Sequence, residues 1–136
     1  GKGLVFQSFD WAILAEVQGR WPAANIAALT SERGTPRSVY TESPWLSRWA
    51  DEVARHGVFA VIAANGWSTW SASEKDLGPD TTRRAQDAGL DVFAWTVNEL
   101  TRANALVAQG VDGVITDYPD RVNAQSCGGR DTGLLL

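Results

Sequence analysis

Short apolar runs rich in β-branched and aromatic residues alternate along this chain with longer stretches of helical spacing. This alternation constrains the fold more than any other feature, because it is typical of βα units repeated around a parallel sheet. Several runs are almost continuously apolar, as strands covered on both faces require. The sequence therefore predicts an α/β fold of repeated parallel βα units. Five strands are predicted, at residues 4–8, 25–30, 58–64, 91–97 and 113–117.

Capping residues and apolar stripes predict the helices between these strands. Pro44, which follows a serine, is expected to begin an amphipathic helix. Asp10 is expected to cap a helix that carries Ile13, Leu14 and Val17 inward, and Asn98 to cap another. A weaker apolar face predicts a short helix at residues 79–88. The stripe of the helix after Pro44 consists of Trp45, Leu46, Trp49, Ala50 and Val53.

Glycines mark the ends of the helical stretches, where a residue without Cβ can adopt the left-handed conformation that closes a helix. Three of them lead directly into predicted strands, so one helix-to-strand turn is reused without any repeated sequence. The four glycines are Gly19, Gly57, Gly89 and Gly110.

Composition indicates one globular domain and narrows its partners. The 136 residues are 44% hydrophobic and 21% charged, with a formal net charge of −4. No apolar run approaches the ~20 residues of a membrane-spanning helix. The Lys and Arg residues form no basic stripe of the kind that attracts nucleic acid. We therefore expect neither a membrane span nor nucleic-acid binding. The single cysteine, Cys127, cannot form an internal disulfide, and one thiol with one histidine makes no zinc cluster.

Polar side chains collect at the carboxyl ends of the predicted strands, where parallel βα folds bind ligands. Helix capping by Asp10 or Asn98 and a turn at Asp117 would explain part of this pattern without any function. Trp95 lies near the end of the fourth strand, on the same face as Phe93, and either lines a pocket mouth or belongs to the core. The polar set is Ser8, Asp10, Thr30, Ser31, Asn65, Thr96, Asn98, Thr116 and Asp117.

His56 is the only histidine, and it stands at the end of a predicted helix, where a dipolar or cationic side chain suits the helix terminus. No Ser-x-Gly elbow or neighbouring acid completes a catalytic triad with it. No cluster of carboxylates has metal-ligand spacing within one strand or loop. The residues by themselves predict a pocket rather than a reaction.

Three motifs give the chain a family resemblance. Residues 7–10 read Gln-Ser-Phe-Asp, residues 95–98 read Trp-Thr-Val-Asn, and residues 110–120 read Gly-Val-Asp-Gly-Val-Ile-Thr-Asp-Tyr-Pro-Asp. In this order they resemble the carboxyl-terminal half of the glycerophosphodiester phosphodiesterase family, over residues 4–122. The resemblance implies the last five strands of a TIM (β/α)8 barrel, a fold of typically ~250 residues.

The resemblance also implies a domain division and an activity. Residues 1–122 would form the barrel portion and residues 123–136 an unstructured tail. Family members hydrolyse glycerophosphodiesters to glycerol phosphate and an alcohol with a divalent cation, Mg²⁺ or Ca²⁺. Their catalytic and metal-binding groups lie in the amino-terminal half, in a set of His-Arg-Gly, Glu-x-Asp, His-Asp and Glu-x-Lys segments that this chain does not contain together. We therefore expect no catalytic residue or metal ligand in this chain, and no activity from the chain alone.

The wall of the substrate site is what the resemblance carries over to this chain. The tryptophan of the family's Trp-Thr-Val-Asn motif faces the glycerol or alcohol moiety, which makes Trp95 the leading substrate-binding candidate, with Phe9 behind it. Ser8 and Asn98 are further candidates, and Asp117 is expected to support them. The implied partner is a small-molecule glycerophosphodiester.

The polar stretch at residues 65–78 departs from a compact family member and is predicted to be a long loop after the third strand. Its Trp67 and Trp70 are expected either to cover the substrate site or to pack. Because of this departure, the resemblance does not indicate which alcohol group the substrate carries.

Two other functions remain open beside the phosphodiesterase. A non-catalytic half-barrel that binds ligands or assembles would expose two sheet edges and an apolar inner face, and we expect it to self-associate through these open edges. A related barrel phosphodiesterase that acts on phospholipids would share the chemistry, and substrate tests would distinguish it.

Overall fold

The computed structural model describes residues 5–120 and the backbone of residues 133–135. All the described strands belong to one sheet, in which neighbours in the chain are neighbours in space and every pair is parallel. This sequential order is that of a (β/α)8 barrel wall, and it confirms the predicted α/β class. The strands are β1 (Val5–Ser8), β2 (Asn25–Thr30), β3 (Thr69–Ser73), β4 (Asp91–Trp95), β5 (Gly113–Ile115) and β6 (Gly133–Leu135).

Helices connect the successive strands from β1 to β5 and cover one face of the sheet. Two single turns of 3-10 helix, Ser47–Trp49 and Glu74–Asp76, lie within the longer connections. Among the described helices, none has the length and apolar character needed to cross a membrane. The α-helices are α1 (Trp11–Arg20), α2 (Ala50–His56), α3 (Val58–Ala64), α4 (Pro79–Asp87) and α5 (Leu100–Ala108).

The prediction of a strand at residues 58–64 is wrong, because Val58–Ala64 forms helix α3. Its buried side chains, Val58, Val61 and Ile62, follow the i, i+3, i+4 spacing of a helix face. A short and wholly apolar run carries too little periodicity to distinguish a buried strand from a buried helix.

The third strand instead lies inside the stretch that was predicted to be a loop. β3 reads Thr-Trp-Ser-Ala-Ser, and all of its residues are buried. Its hydroxyl side chains made a central strand resemble a polar loop. Trp67 and Trp70 are 2% and 3% exposed, so both pack in the core and neither covers a site.

The helix predicted after Pro44 begins later than expected. The chain first makes a turn and a 3-10 segment at Ser47–Trp49, where Ser47 itself has a φ of 51°, and α2 starts only at Ala50. Trp45 consequently leaves the buried stripe and is 39% exposed.

Other local predictions have mixed outcomes. Asp10 caps α1 as expected, since its carboxylate accepts the backbone N–H groups of Ala12 and Ile13 at N···O distances of 3.0 and 3.3 Å. Of the three residues predicted to point inward, Leu14 is buried and Val17 packs against the core, whereas Ile13 is 50% exposed, so the prediction is wrong for Ile13 alone. Asn98 does not cap α5, whose N-cap is Glu99. The helix predicted at residues 79–88 is confirmed as α4.

Three of the glycine predictions concern turns with positive φ. Gly89 and Gly110, with φ of 92° and 96°, lead into β4 and β5 as predicted. Gly57 also has a positive φ of 85°, but it leads into helix α3. Gly19 lies within α1, and Gly66, with φ of 76°, makes the turn between α3 and β3.

The predicted strand and tail boundaries also differ from the structure. β4 ends at Trp95 and β5 at Ile115, two residues earlier than expected in each case. The predicted unstructured tail falls mostly outside the described residues. Within it, Gly133–Leu135 is a strand that pairs with β5, which departs from that prediction at these three positions.

Strand pairing gives the sheet one face for the core and one face for the barrel interior. Paired residues of parallel strands share a face, and successive residues alternate between faces. The side chains that pack with the helices are Ile26, Ala28, Trp70, Ala72, Val92, Ala94 and Val114. The opposite face carries Leu29, Ser71, Ser73, Phe93 and Trp95, and the larger three of these are only half-buried.

Tryptophans fill the layer between the sheet and the first helices. Trp11 lies 5.4 Å from Trp67 and 6.2 Å from Trp49 between ring centroids, in edge-on and tilted contacts. The indole N–H of Trp49 donates to the Asn65 side chain, and that of Trp67 to the Gln18 side chain, both at 3.1 Å. These bonds satisfy the polar tips of two rings that are otherwise buried among apolar groups.

Asp112 ties three elements together at the amino-terminal ends of the strands. Its carboxylate accepts the backbone N–H of Val92 at 2.8 Å and the Gln86 amide at 3.1 Å. The same amide group also donates to the Gly110 carbonyl at 2.7 Å. The turn before β5 is therefore fixed to both α4 and β4.

Replacing this carboxylate should destabilise the fold. We expect Asp112→Ala to lower the free energy of unfolding by about 1 to 3 kcal/mol, because a backbone N–H and an amide lose their partner. Urea denaturation would measure the change. Asp87→Ala, at the exposed last residue of α4, serves as control and should stay within about 0.5 kcal/mol of the parent. Equal losses in the two variants would contradict the role of Asp112.

The Asp91 carboxyl lies at the same end of the sheet, and its pKa is raised by burial and by the nearby charge of Asp112. A raised pKa means that the folded state favours the protonated form, so stability falls as pH rises from the ordinary value of 3.8 through the raised value. We expect Asp91→Asn to raise the thermal unfolding midpoint at neutral pH and to give no gain below pH 3.8. Asp51→Asn, at an exposed position in α2, is the control. A gain that persisted in acid would indicate packing rather than charge.

Candidate functional site

Trp95 and Phe9 meet at the carboxyl ends of β1 and β4. Trp95 is the last residue of β4, and Phe9 directly follows β1. Their ring centroids are 5.3 Å apart and their planes meet at 86°, so the two rings make an edge-on contact. The indole N–H of Trp95 donates to the carbonyl oxygen of Ser71 on β3 at 3.0 Å, which fixes the orientation of the ring. Both rings remain half-buried.

Trp45 adds a third ring beside Phe9. The centroids of Trp45 and Phe9 are 6.1 Å apart with the planes at 58°. We call Trp45, Phe9 and Trp95 the aromatic row. The sequence does not mark Trp45 as a site residue, because its spacing suits a helix stripe and no local motif links it to Phe9.

Ser8 shapes the loop that carries Phe9. Its hydroxyl accepts the backbone N–H of Asp10 at 2.9 Å, while Asp10 caps α1. The side chains of Ser8 and Asp10 thus fix the chain on either side of the Phe9 ring. Direct contact between Ser8 and substrate stays a prediction.

Asn98 joins the ends of β4 and β5. Its side-chain carbonyl accepts the backbone N–H of Asp117 at 3.0 Å and the hydroxyl of Thr116 at 3.1 Å, and its amide donates to the Asp117 carboxylate at 3.1 Å. The structure therefore brings together Asn98, Thr116 and Asp117 from the set of polar strand-end residues. Contact between Asn98 and a substrate is likewise still a prediction.

The connections after β2 and β3 are clamped to each other. The Asp76 carboxylate accepts the backbone N–H groups of Glu32 and Arg33 at 2.8 and 3.0 Å. On the other side, the Arg102 guanidinium bonds the Glu74 carboxylate at 2.6 Å and the Glu74 carbonyl at 2.7 Å. These bonds hold the rim of the sheet from β2 to α5.

The electrostatic environment of this rim disfavours the charge on Glu32. Burial raises the pKa of the Glu32 carboxyl and the charge of Asp76 raises it further, against the opposing effects of Arg33 and Arg37.

His56 lies at the end of a helix, as predicted, because it is the exposed last residue of α2. Across the described part of the chain, Ser31 and Ser71 carry buried hydroxyls that have no hydrogen-bond partner.

The described residues do not fit a divalent cation. Within residues 5–120, no three side chains of His, Cys, Asp or Glu come together as a ligand set. Hard divalent cations require several oxygen ligands at once. At these strand ends the described residues bring together aromatic rings and the polar groups that hold their loops.

A parallel βα half-barrel with this site belongs to the class of barrel proteins that bind substrates at the carboxyl ends of their strands. The model of the glycerophosphoryl diester phosphodiesterase family matches residues 1–121. The chain therefore belongs to this family. The family motifs that the sequence presents lie within the matched region.

Individual relatives agree with this assignment over part of their length. A Bacillus subtilis protein named as a glycerophosphodiester phosphodiesterase, YhdW, is 62% identical over 32 residues, which are 24% of this chain and 13% of that protein. A crystal structure named as a glycerophosphoryl diester phosphodiesterase from Silicibacter pomeroyi has a TM-score of 0.69 at 29% identity. It is matched over 88% of this chain and 36% of its own.

A phosphodiesterase from Oleispira antarctica, solved in complex with the product sn-glycerol-3-phosphate, shares the fold, with a TM-score of 0.65 at 21% identity. The match covers 89% of this chain and 40% of that protein. This chain thus spans less than half the length of the relatives that it matches.

Asn98 offers a test that separates support from substrate contact. We expect Asn98→Ala to lower the free energy of unfolding by about 1 to 3 kcal/mol, because the backbone N–H of Asp117 and the Thr116 hydroxyl lose their acceptor. Urea denaturation would measure the loss. Asn104→Ala, at an exposed position of α5, is the matched control and should show none. Unchanged stability of Asn98→Ala would contradict the support role.

Proposed function

We propose that this chain forms the substrate wall of a metal-dependent glycerophosphodiester phosphodiesterase, which hydrolyses a glycerophosphodiester to glycerol phosphate and an alcohol. The observation that carries the proposal is the edge-on pair of Trp95 and Phe9 at the strand ends of a chain of this family. A half-buried aromatic pair suits the carbon surface of a glycerol or alcohol group. Membership of the family supports the reaction class.

The division of labour follows from the residues that this chain offers. Trp95 and Phe9 would exclude water from the non-reacting part of the substrate and position it, while Ser8 and Asn98 would hold the loops that carry them. Paired histidines and the ligands of a divalent cation, Mg²⁺ or Ca²⁺, would come from the preceding βα units of the barrel. We further propose that the chain alone is inactive for this reason.

A non-catalytic half-barrel that binds or assembles is the second candidate. It is favoured by the position of β1 at an edge of the described sheet and by the half-buried Leu29, Phe93 and Trp95 on the interior face. Such surfaces associate in water. Sedimentation velocity of the chain alone would distinguish the candidates, since a module of this kind must form a dimer or a larger assembly.

A fusion of this chain to the amino-terminal βα units of a relative tests the proposed enzyme. We expect the fusion to hydrolyse glycerophosphodiesters with Mg²⁺ or Ca²⁺, and a chelator to abolish the activity. Trp95→Ala should lower kcat/KM of the fusion roughly threefold to tenfold, as loss of one aromatic contact predicts. A coupled assay of glycerol phosphate release would measure both results.

Two controls make the outcome decisive. Trp21→Ala removes another exposed indole, which stacks on Phe6 away from the aromatic row, and it should leave kcat/KM unchanged. Thermal unfolding checks that Trp95→Ala, which loses the ring contact with Phe9 and the hydrogen bond to Ser71, is still folded at the assay temperature. A folded fusion without hydrolysis would refute the proposed function, and cation-dependent hydrolysis by the chain alone would refute the division of labour.

A further inference from the structure

Backbone hydrogen bonds rather than burial fix the position of Trp45. Its carbonyl oxygen accepts the backbone N–H of Trp11 at 3.0 Å, and its own N–H donates to the Ser43 hydroxyl at 3.2 Å. That hydroxyl is buried and donates in turn to the Ser38 carbonyl at 2.6 Å. The long connection after β2 is thereby fastened to the start of α1, immediately after Phe9.

This anchoring leaves Trp45 partly exposed, at the end of the aromatic row that lies beyond Phe9 from Trp95. The ring is 39% exposed, although the neighbouring Leu46 and Trp49 of the same segment are buried. Exposing a large aromatic ring forfeits much of the free energy that its burial would contribute. A ring that is held in place and kept exposed beside a half-buried pair is suited to contact a ligand.

The row has an order that matters for ligand size. Phe9 is the middle ring of the row, because its ring contacts both Trp95 and Trp45. A ligand that touches Trp45 as well as Trp95 must extend past Phe9. A small alcohol group that lies on Trp95 therefore reaches only Trp95 and Phe9. A ring-shaped polyol is large enough to place a C–H face against Trp45 as well.

We propose that Trp45 is a specificity-determining residue, which contacts the alcohol moiety of glycerophosphodiesters only when that alcohol is as large as a ring polyol. This inference rests on the proposed function, because it takes Trp95 and Phe9 as the wall of the substrate site. It adds a residue from the connection after β2 and a preference among substrates.

Fluorine NMR of the fusion to the amino-terminal βα units, labelled with 5-fluorotryptophan and treated with a chelator to prevent hydrolysis, tests the proposal directly. Single Trp→Phe variants at positions 21, 45 and 95 would assign the three resonances. The probes are glycerophosphoinositol and glycerophosphoethanolamine. We expect the inositol diester to shift the Trp45 and Trp95 resonances, the ethanolamine diester to shift that of Trp95 alone, and neither to shift that of Trp21.

Affinities of the variants supply the second measurement. Trp45→Ala should weaken binding of the inositol diester roughly threefold to tenfold and leave the ethanolamine diester within about twofold, because only the larger group loses an aromatic contact. Trp45→Phe should restore most of the affinity. Trp21→Ala, the matched exposed tryptophan, should change neither affinity.

The outcomes separate this inference from the proposed function. Shifts at Trp95 without shifts at Trp45 would overturn the role of Trp45 and leave the proposed wall intact. Equal shifts at Trp21 and Trp45 would indicate unspecific binding and would also overturn it. The absence of shifts at both Trp45 and Trp95 with either diester would reject the wall and the inference together.

Discussion

Parallel pairing of the strands is the constraint on which the rest of this structure depends. Each strand alternates its side chains between two faces, and the connecting helices cover one of them. The register pairs Ser71 with Phe93 and Ser73 with Trp95, so these residues share the face that the helices leave open. A shift of one residue would bury Trp95 under the helices and place Ala94 at the mouth. The placement of Trp95 on the open face therefore follows from the hydrogen bonding of the sheet.

The two ends of the sheet serve different purposes. At the amino-terminal ends, Asp112 binds α4 and β4 to the turn before β5. At the carboxyl ends, Asn98 joins the strands that carry Trp95 and Thr116, and Asp76 fastens the connection after β2. One continuous motif, residues 110–120, thus contributes to stability at one end and to the support of the site at the other. This separation is general in barrels, where the loops at the carboxyl ends carry function.

Much of the fold could be predicted from the sequence, and the two wrong assignments of secondary structure share a physical cause. β2 was predicted with correct bounds, and α4 and the capping of α1 by Asp10 were predicted correctly, because turn and cap chemistry is local. Residues 58–64 were assigned to a strand, and β3 to a loop. Helix α3 is apolar on its exposed side as well, at Ala60 and Ala64, and the buried strand β3 carries hydroxyl groups in place of an apolar run. In both cases the polarity of the side chains does not follow their burial, and the prediction depended on that relation.

The sequence by itself determined the parallel βα class, the family and the importance of the strand ends, because these depend on local patterns and contiguous motifs. It singled out Trp95 and Phe9, since both lie in such motifs. Only the tertiary structure decided that Trp45 stands beside Phe9, that Asn98 holds Asp117 rather than capping α5, and that Trp67 and Trp70 are core residues. Those contacts join residues far apart in the chain, and their formation depends on how the helices and loops pack against the sheet.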